Sequence, residues 1–175
     1  KTKRMAVKLN LGSGDLLLEG FINMDISLTG YGTGSSDKKV PKGTEIRGDW
    51  EAEKGLLEFQ EGSIEAITIS HMLYAIEEKY YPFFFGELYR VLEKGGIVRI
   101  TDDNFDQPPG LYKEYNMDRS SQLTHTTRKM IRKYLEDVGF EAHDVSNQST
   151  FYKDNTLIQS QHGGYTKTFH MEGIK

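Results

Sequence analysis

Two short segments near the start of the chain carry residue types that could bind a nucleoside. The first is a strand pattern that runs into a Gly-x-Gly turn, Val7-Lys8-Leu9-Asn10-Leu11-Gly12-Ser13-Gly14, and the second ends in a carboxylate, Phe21-Ile22-Asn23-Met24-Asp25. Glycine has no Cβ, so the backbone of such a turn can approach a ligand closely. A carboxylate at the end of the next strand can accept hydrogen bonds from the two hydroxyls of a ribose. The two segments together predict a site for a nucleoside-containing cofactor.

Residues that could act as a general base follow the later strand patterns. His71 follows one apolar run, and Asp102 and Asp103 follow the next. In parallel α/β sheets, ligands bind at the carboxyl ends of the strands, where these side chains are expected. Further candidates, which come after the last of these runs, are His125, Tyr112 and Tyr115.

Short apolar runs alternate with helical patterns along the chain, which indicates an α/β fold. The predicted strands are Val7–Leu11, Phe21–Asp25, Glu45–Gly48, Ala66–Ser70, Ile97–Thr101, Glu141–Val145, Thr156–Gln161 and Tyr165–Glu172. The predicted helices are Tyr81–Leu92, which Lys94-Gly95-Gly96 is expected to end, and Thr127–Val138, which ends before Gly139. Residues 28–42 and Gln107–Gly110 read as loops at the edge of the site.

The connection between the first two strands is unusually short. Only residues 15–20 separate Gly14 from Phe21, whereas parallel neighbours are usually joined by a dozen or more residues. The first crossover helix is therefore expected to be reduced to about one turn or replaced by a loop.

The composition is that of one ordinary domain, which we assign to residues 1–175. It has 37% apolar and 27% charged residues, no cysteine and a net charge of −4. Scattered basic residues and an acidic balance argue against nucleic acid as a partner, and the lack of cysteine excludes disulfides and thiolate zinc sites. No apolar run approaches the ~18 residues of a membrane span, and residues 1–4 are too short for a signal peptide, so we expect a cytoplasmic protein.

Four blocks in this order resemble the class I S-adenosylmethionine-dependent methyltransferases, specifically the small type 11-like members with a shortened first helix. They are Leu9–Gly14; Phe21–Ile26; Gly48-Asp49-Trp50 with Gly62-Ser63-Ile64-Glu65-Ala66-Ile67; and Leu88–Gly96, with Ser70-His71-Met72-Leu73 after the fourth strand. The resemblance extends over about residues 7–145. It implies a Rossmann-like three-layer sandwich with a mostly parallel seven-stranded sheet and a late antiparallel strand.

The resemblance also implies which residues form the site. Gly12 and Gly14 would lie against the methionine part of S-adenosylmethionine, Asp25 on its ribose hydroxyls and Asp49 at the adenine amino group. The other implied cofactor residues are Asn10, Ser13, Ile26, Trp50, whose backbone or ring would flank the base, and Ser70 and His71, where the cofactor faces its acceptor. Asn10 replaces the acidic residue that is usual in the family, and Leu16 replaces its third glycine.

The chemistry of methyl transfer requires few catalytic groups. Holding the acceptor about 3 Å from the methyl carbon supplies much of the rate, and a hydroxyl acceptor also needs a base. His71 and Asp102 are the predicted catalytic residues. We expect a small polar acceptor, such as a sugar-like or hydroxylated molecule, no membrane partner, and a monomer or homodimer.

Three alternatives remain beside this interpretation. A domain that binds cofactor or a partner without turnover is compatible with Asn10 and the reduced first helix. An NAD(P)-dependent oxidoreductase is disfavoured, because the third glycine is missing and Asp25 comes about ten residues too early. Metal-dependent catechol-type methyltransferases resemble this chain at Asp102-Asp103-Asn104, but they carry an aspartate where His71 stands, so we expect no metal.

Overall fold

The computed structural model describes residues 6–14, 17–25, 45–48, 50–105, 123–145 and 168–175. Within these residues there are seven strands: β1 (Val7–Leu11), β2 (Ile22–Met24), β3 (Glu45–Arg47), β4 (Ile64–Ser70), β5 (Leu92–Asp103), β6 (Glu141–Asp144) and β7 (Thr168–Ile174). They form one sheet in the order β3-β2-β1-β4-β5-β7-β6. β1 to β5 pair in parallel, whereas β7 runs antiparallel to β5 and β6. The predicted α/β fold with a mostly parallel sheet and a late antiparallel strand is confirmed.

Two α-helices accompany the sheet in the described part of the chain, α1 (Tyr81–Val91) and α2 (Arg128–Val138). α2 begins as predicted: Thr127 Oγ1 accepts a hydrogen bond from the Met130 backbone N at 3.1 Å, and Gly139 ends the helix with φ +114°. Three 3₁₀ turns cover Ala52–Lys54, Leu73–Ala75 and Glu78–Tyr80. Among the described residues, no helix is long and apolar enough to cross a membrane.

The predicted end of α1 was wrong. The helix ends at Val91, and Leu92 is extended and pairs with Ile64 as the first residue of β5. Gly95 adopts φ +79°, but it lies in an irregular part of β5 rather than in a helix cap. Leu92 is fully buried, so the apolar contact it makes in the sheet favours the strand over a further helical turn.

One face of the sheet is apolar and packs against both helices. The strand side chains on this face include Leu9, Leu11, Ile67, Ile69, Val98, Ile100 and Met171, and the helices contribute Phe84, Phe85, Leu88, Ile131 and Leu135. All of these side chains are fully buried. This face forms the main hydrophobic core and fixes the strands on which the site is built.

The opposite face carries a polar row that crosses the sheet. Asn23, Asn10, Thr68, Arg99 and Glu172 lie side by side on β2, β1, β4, β5 and β7. None is more than 9% exposed, and Arg99 Nη1 donates to Glu172 Oε1 at 3.0 Å. Strands of parallel sheets are usually apolar on both faces, so a row of buried polar side chains across the sheet is an unusual feature of this chain.

The connection from β1 to β2 contains no helix in its described residues, 12–14 and 17–21, which agrees with the predicted reduction. The Asn23 side chain supplies hydrogen bonds to the connection. Its Oδ1 accepts from the Leu18 backbone N at 2.9 Å, and its Nδ2 lies 3.1–3.2 Å from the carbonyl oxygens of Leu18, Phe21 and Glu45.

Several predicted features lie outside the described residues. They are the strand at Thr156–Gln161, the loops at 28–42 and Gln107–Gly110, and the side chains of Ile26, Asp49, Tyr112 and Tyr115. β1 has the predicted bounds, and the other predicted strands are confirmed with shifted ends, with large shifts at β4 and β5. β7 is described from Thr168 and ends at Ile174 rather than at Glu172. The assignment of the whole chain to one domain stays a prediction.

Candidate functional site

The candidate site lies where the strand order reverses. β1 is flanked by β2 on one side and by β4 on the other, so the connections that leave their carboxyl ends diverge there. Such a switch point leaves a crevice in which α/β proteins bind ligands. The Gly12–Gly14 turn follows β1, Asp25 follows β2 and His71 follows β4. The structure therefore brings the main predicted residues to one edge of the sheet.

The turn after β1 is fixed to the end of β2. The backbone N atoms of Gly12 and Ser13 both donate to the Met24 carbonyl oxygen, at 2.8 and 3.1 Å. The backbone N of Gly14 donates to Asp25 Oδ2 at 2.7 Å. Two of these residues, Gly12 and Gly14, adopt φ values of +66° and +51°, which favour glycine. The glycine turn and the acidic residue thus form one hydrogen-bonded unit.

The two glycines are needed for different reasons. A Cβ on Gly12 would lie 2.5 Å from Met72 Cγ, so the Met72 side chain already fills the space beside Gly12. Apart from its two chain neighbours, no described residue has an atom within 4 Å of where a Cβ on Gly14 would lie. Gly12 therefore permits internal packing, whereas the open side of Gly14 is accessible to a ligand.

Ser13 and Asp25 add polar groups to this unit. The Ser13 Oγ is buried and has no hydrogen-bond partner among the residues that the structure describes. Asp25 is 9% exposed, and its backbone N donates to the Arg47 carbonyl oxygen at 3.1 Å. Buried hydroxyl groups usually have a partner, so the Ser13 hydroxyl fits a ligand that occupies the turn.

Trp50 lies next to Asp25 through its backbone and not through its ring. Its backbone N donates to the Asp25 carbonyl oxygen at 3.1 Å. The indole is 8% exposed, donates from Nε1 to the Gly55 carbonyl oxygen at 2.9 Å and packs against Phe84. The predicted placement of the ring beside a base is therefore replaced by a core position, and only the backbone remains near the site.

Asn10 is also part of the fold. Its Nδ2 donates to Asn23 Oδ1 at 2.8 Å, and the side chain is 2% exposed. This bond links β1 to the same asparagine that holds the short connection to β2. The structure supports a scaffold role for Asn10, and its predicted contact with the cofactor stays a prediction.

His71 has an unusual backbone conformation at the end of β4. Its φ is +51°, the one positive value among the described residues that are not glycine. Its backbone N donates to the Thr101 carbonyl oxygen at 2.8 Å, and its Nδ1 lies 3.8 Å from Asp103 Oδ1. That distance is within ion-pair range but longer than a hydrogen bond. Strained backbone of this kind concentrates at functional sites, which makes His71 and Asp103 the best-placed proton-handling pair.

Asp102, the other predicted catalytic residue, is fully buried. Its Oδ2 accepts from the Leu73 backbone N at 2.9 Å, and its Oδ1 accepts from the Asp103 backbone N at 2.8 Å. Burial raises the pKa of the Asp102 carboxyl from 3.8 to about 7, while the backbone hydrogen bonds act in the opposite direction. Both oxygens of Asp102 accept hydrogen bonds from backbone N–H groups. The geometry therefore favours Asp103 as the carboxylate that faces an acceptor.

His71, Asp102 and Asp103 each offer one ligand atom to a metal ion, and these atoms lie within 4.8 Å of one another. The oxygens of Asp102, however, already accept backbone N–H groups. We therefore assign no metal to this cluster.

Residues 123–127 form the rim beside these side chains. The Thr124 Oγ1 donates to the Ile76 carbonyl oxygen at 2.6 Å, and the Thr126 Oγ1 donates to the Asp103 carbonyl oxygen at 2.8 Å. His125, which the sequence suggested as a base, stacks on Phe105 with 4.8 Å between the ring centroids. The rim thus carries an exposed histidine that stacks on the half-buried Phe105 just after the end of β5.

Sequence reasoning missed His170 on β7. It pairs with Thr101 in the sheet, and its Nδ1 lies 3.0 Å from Thr101 Oγ1. Burial, with a smaller effect from the Arg99 charge, lowers the pKa of His170 to about 4, so the imidazole is neutral at physiological pH. The register places Ser70, Thr101 and His170 in one polar row near the site. No local motif marks His170, because its partner is 69 residues away.

Comparison with solved structures shows which proteins share this fold. A methyltransferase from Archaeoglobus fulgidus that depends on S-adenosylmethionine superposes with a TM-score of 0.67 at 12% identity, over 99% of this chain and 87% of that one. The YcgJ protein of Bacillus subtilis gives 0.63 at 15% identity, over 99% and 94%. Phosphoethanolamine N-methyltransferase 2 of Haemonchus contortus, solved with S-adenosyl-L-methionine, gives 0.60 at 14% identity, over 100% and 50%.

Sequence comparisons identify no relatives of this kind. No protein-family model matches the chain, and no curated protein matches it significantly. The structural comparisons establish that the chain has the fold of S-adenosylmethionine-dependent methyltransferases, as the sequence predicted.

Proposed function

We propose that this chain binds S-adenosylmethionine and transfers its methyl group to a small polar acceptor. The observation that supports this most directly is the 2.7 Å hydrogen bond from the Gly14 backbone N to Asp25 Oδ2. It joins the glycine turn and the acidic strand end into one unit at the switch point of a methyltransferase fold. Both elements are the ones that a nucleoside cofactor requires.

The residues of this unit fit the proposed cofactor. Within the described part of the chain, no residue beyond its neighbours fills the place of a Cβ on Gly14, and the Ser13 Oγ lacks a partner there. In the proposed complex, Gly14 and Ser13 bind the methionine part and Asp25 binds the ribose hydroxyls. Asp49, which lies outside the described residues, keeps its predicted role at the adenine amino group, and Ile26 keeps its predicted role as a cofactor residue. When bound, the cofactor supplies an electrophilic methyl group.

His71 is the proposed general base. Its imidazole would accept the proton of an acceptor hydroxyl, while the bound cofactor would supply the methyl group to the acceptor oxygen. Asp103, with Oδ1 3.8 Å from the Nδ1 of His71, stabilises the imidazolium that forms. Positioning supplies most of the rate in such a displacement, and the base adds about 10²–10⁴-fold.

The side chains near His71 suggest the class of acceptor. Ser70, Thr101 and the neutral imidazole of His170 offer hydrogen bonds, and Asp103 adds a negative charge. This set favours a neutral, hydroxylated molecule over an anionic one, because Asp103 would repel an anion. The chain's net charge of −4 likewise argues against nucleic acid as the acceptor.

An acceptor screen tests this function. The protein is incubated with S-adenosylmethionine and a panel of monosaccharides, sugar alcohols and phenols, and mass spectrometry detects S-adenosylhomocysteine and any methylated product. We expect a methylated product with at least one panel member. His71→Asn is the matched variant, because asparagine tolerates a left-handed backbone but cannot act as the base.

The variant is expected to bind the cofactor normally and to lose about 10²-fold or more of kcat. Cofactor binding with no transfer to any panel member would contradict the proposed acceptor class and support a domain that binds without turnover.

A further inference from the structure

We propose that Asp102 is a positioning residue that sets the affinity for S-adenosylmethionine. It does so by holding the loop after β4, residues 71–74, against the glycine turn, residues 12–14. The inference rests on the proposed cofactor and is independent of the acceptor. It assigns Asp102, the predicted catalytic carboxylate, to a role that it exerts through Met72.

The first link is the attachment of the loop to the end of β5. The Asp102 carboxylate accepts hydrogen bonds from the backbone N of Leu73, at 2.9 Å, and from the backbone N of Tyr74. Asp102 is fully buried, so these backbone N–H groups stand in for the water that would otherwise solvate its charge. A buried carboxylate that loses its donors is strongly disfavoured, and the loop is therefore held in one position.

The second link joins this loop to the glycine turn. Met72 directly precedes Leu73, and its Cβ, Cγ and Sδ would lie 2.5–2.7 Å from a Cβ on Gly12. The side chain therefore rests directly on the α-carbon of Gly12. The backbone N of Gly12 in turn donates a hydrogen bond to the Met24 carbonyl oxygen at 2.8 Å. Gly12 therefore belongs to the hydrogen-bonded unit that includes Gly14 and Asp25. A displacement of Leu73 would therefore shift the Met72 side chain and, through it, the glycine turn of the proposed cofactor site.

Other contacts keep the loop folded when the carboxylate is altered. The Tyr81 hydroxyl donates to the Leu73 carbonyl oxygen at 2.8 Å. The backbone N atoms of Leu123 and Thr124 donate to the Tyr74 carbonyl oxygen at 2.9 and 3.1 Å. A variant at Asp102 is therefore expected to shift the loop and not to unfold the protein.

The charge state of Asp102 matters because both of its oxygens accept hydrogen bonds. Protonation turns one oxygen into an O–H donor and weakens the hydrogen bonds that the carboxyl accepts from N–H groups, because a neutral acceptor binds them less strongly than a charged one. The titratable groups that face it are Asp103 on its own strand, His71 on the loop and Tyr81 on α1, which packs against Tyr134 of α2. Burial places the pKa of Asp102 at about 7, so its ionised fraction changes across neutral pH.

The test is calorimetric titration of S-adenosylmethionine into the wild type, Asp102→Asn, Met72→Ala and the double variant at pH 8. We expect each single variant to weaken binding about tenfold, because the loop loses a carboxylate acceptor or its contact with Gly12. The double variant is expected to bind no more weakly than either single variant. Both substitutions interrupt the same chain of contacts from Asp102 through Met72 to Gly12, so the second causes no further loss. Unchanged affinity in Asp102→Asn, or additive losses in the double variant, would overturn the proposal.

A pH series separates positioning from a general loss of structure. Wild-type affinity is expected to increase several-fold from pH 6 to pH 8, since the ionised carboxylate holds the loop. Asp102→Asn should show no such increase. A pH dependence that persists in Asp102→Asn would contradict the role of Asp102. Failure of the wild type to bind at either pH would reject the proposed cofactor as well.

Discussion

Gly12 and Gly14 adopt similar left-handed conformations, with φ of +66° and +51°, but their surroundings differ. Met72 occupies the space beside Gly12, whereas, among the described residues beyond its chain neighbours, none has an atom within 4 Å of the place where a Cβ of Gly14 would be. Both positions favour glycine because of their backbone conformation. Only Gly14 combines that requirement with an open side, and the proposed ligand contact is therefore specific to it.

This difference predicts the effect of Gly14→Ala. We expect S-adenosylmethionine binding to weaken by about 30-fold or more, since a methyl group enters the proposed cofactor space, while stability falls by about 1–2 kcal/mol from backbone strain. Gly62→Ala is the matched control, because Gly62 has φ +65° and equally open space far along the chain from the turn. It should lose similar stability in thermal unfolding but keep its affinity. Equal affinities in the two variants would refute a ligand-facing Gly14.

The sequence pattern predicted the positions of those site residues that directly follow a strand. The Gly-x-Gly turn, Asp25 and His71 lie at the strand ends where the pattern placed them. The roles of three further residues depend on partners distant in sequence: Trp50 packs against Phe84, Asn10 bonds to Asn23, and Asp102 bonds to Leu73. A residue type at the right position in a motif does not reveal whether its side chain turns to the ligand or into the fold.

At the scale of elements, the connection from β1 to β2 shows how a parallel pair forms with so few linking residues. The Asn23 amide bonds to Leu18 and Phe21 within the connection, to Glu45 on β3 and to Asn10 on β1. One buried side chain thus supplies partners that a crossover helix would normally supply to its own backbone. The sequence predicted the missing helix from its length, but not the asparagine that replaces its hydrogen bonds.

Replacement of Asn23 tests this account. Asn23→Ala is expected to lower the free energy of unfolding by about 2–4 kcal/mol, because several buried partners are left unsatisfied. Urea unfolding monitored by circular dichroism measures the change. Thr127→Ala, which removes the cap of α2, serves as a reference with an expected cost of about 1 kcal/mol. A loss for Asn23→Ala no larger than the reference would show that the connection does not depend on this amide.

The whole molecule is organised by the contrast between the two faces of its sheet. One face packs against α1 and α2 through apolar side chains, and the other carries the buried row from Asn23 to Glu172. The alternation of polar and apolar residues in β5 could be read from the sequence. The pairing of Arg99 with Glu172 could not, because 73 residues separate them and β7 lies late in the chain.

The buried ion pair predicts a characteristic pattern of stability. Arg99 and Glu172 are 1% and 0% exposed, and burial lowers the pKa of Arg99, which shows the cost of its desolvation. Glu172→Leu or Arg99→Met alone is expected to destabilise the protein by about 3–5 kcal/mol, because one buried charge loses its partner. The double variant Arg99→Met with Glu172→Leu should recover most of this loss. Additive losses in chemical unfolding would contradict a mutually compensated pair.

The most direct test of the proposed function is calorimetric titration of S-adenosylmethionine into the wild type, Asp25→Asn and Asp25→Ala. Asp25→Asn keeps an oxygen that can accept from the Gly14 backbone N, and Asp25→Ala removes it. We expect the wild type to bind and both variants to lose about 1–3 kcal/mol of binding free energy, since each lacks the charged acceptor for the ribose hydroxyls. Absence of binding by the wild type, or equal affinity in all three proteins, would contradict a cofactor site built on Gly14 and Asp25.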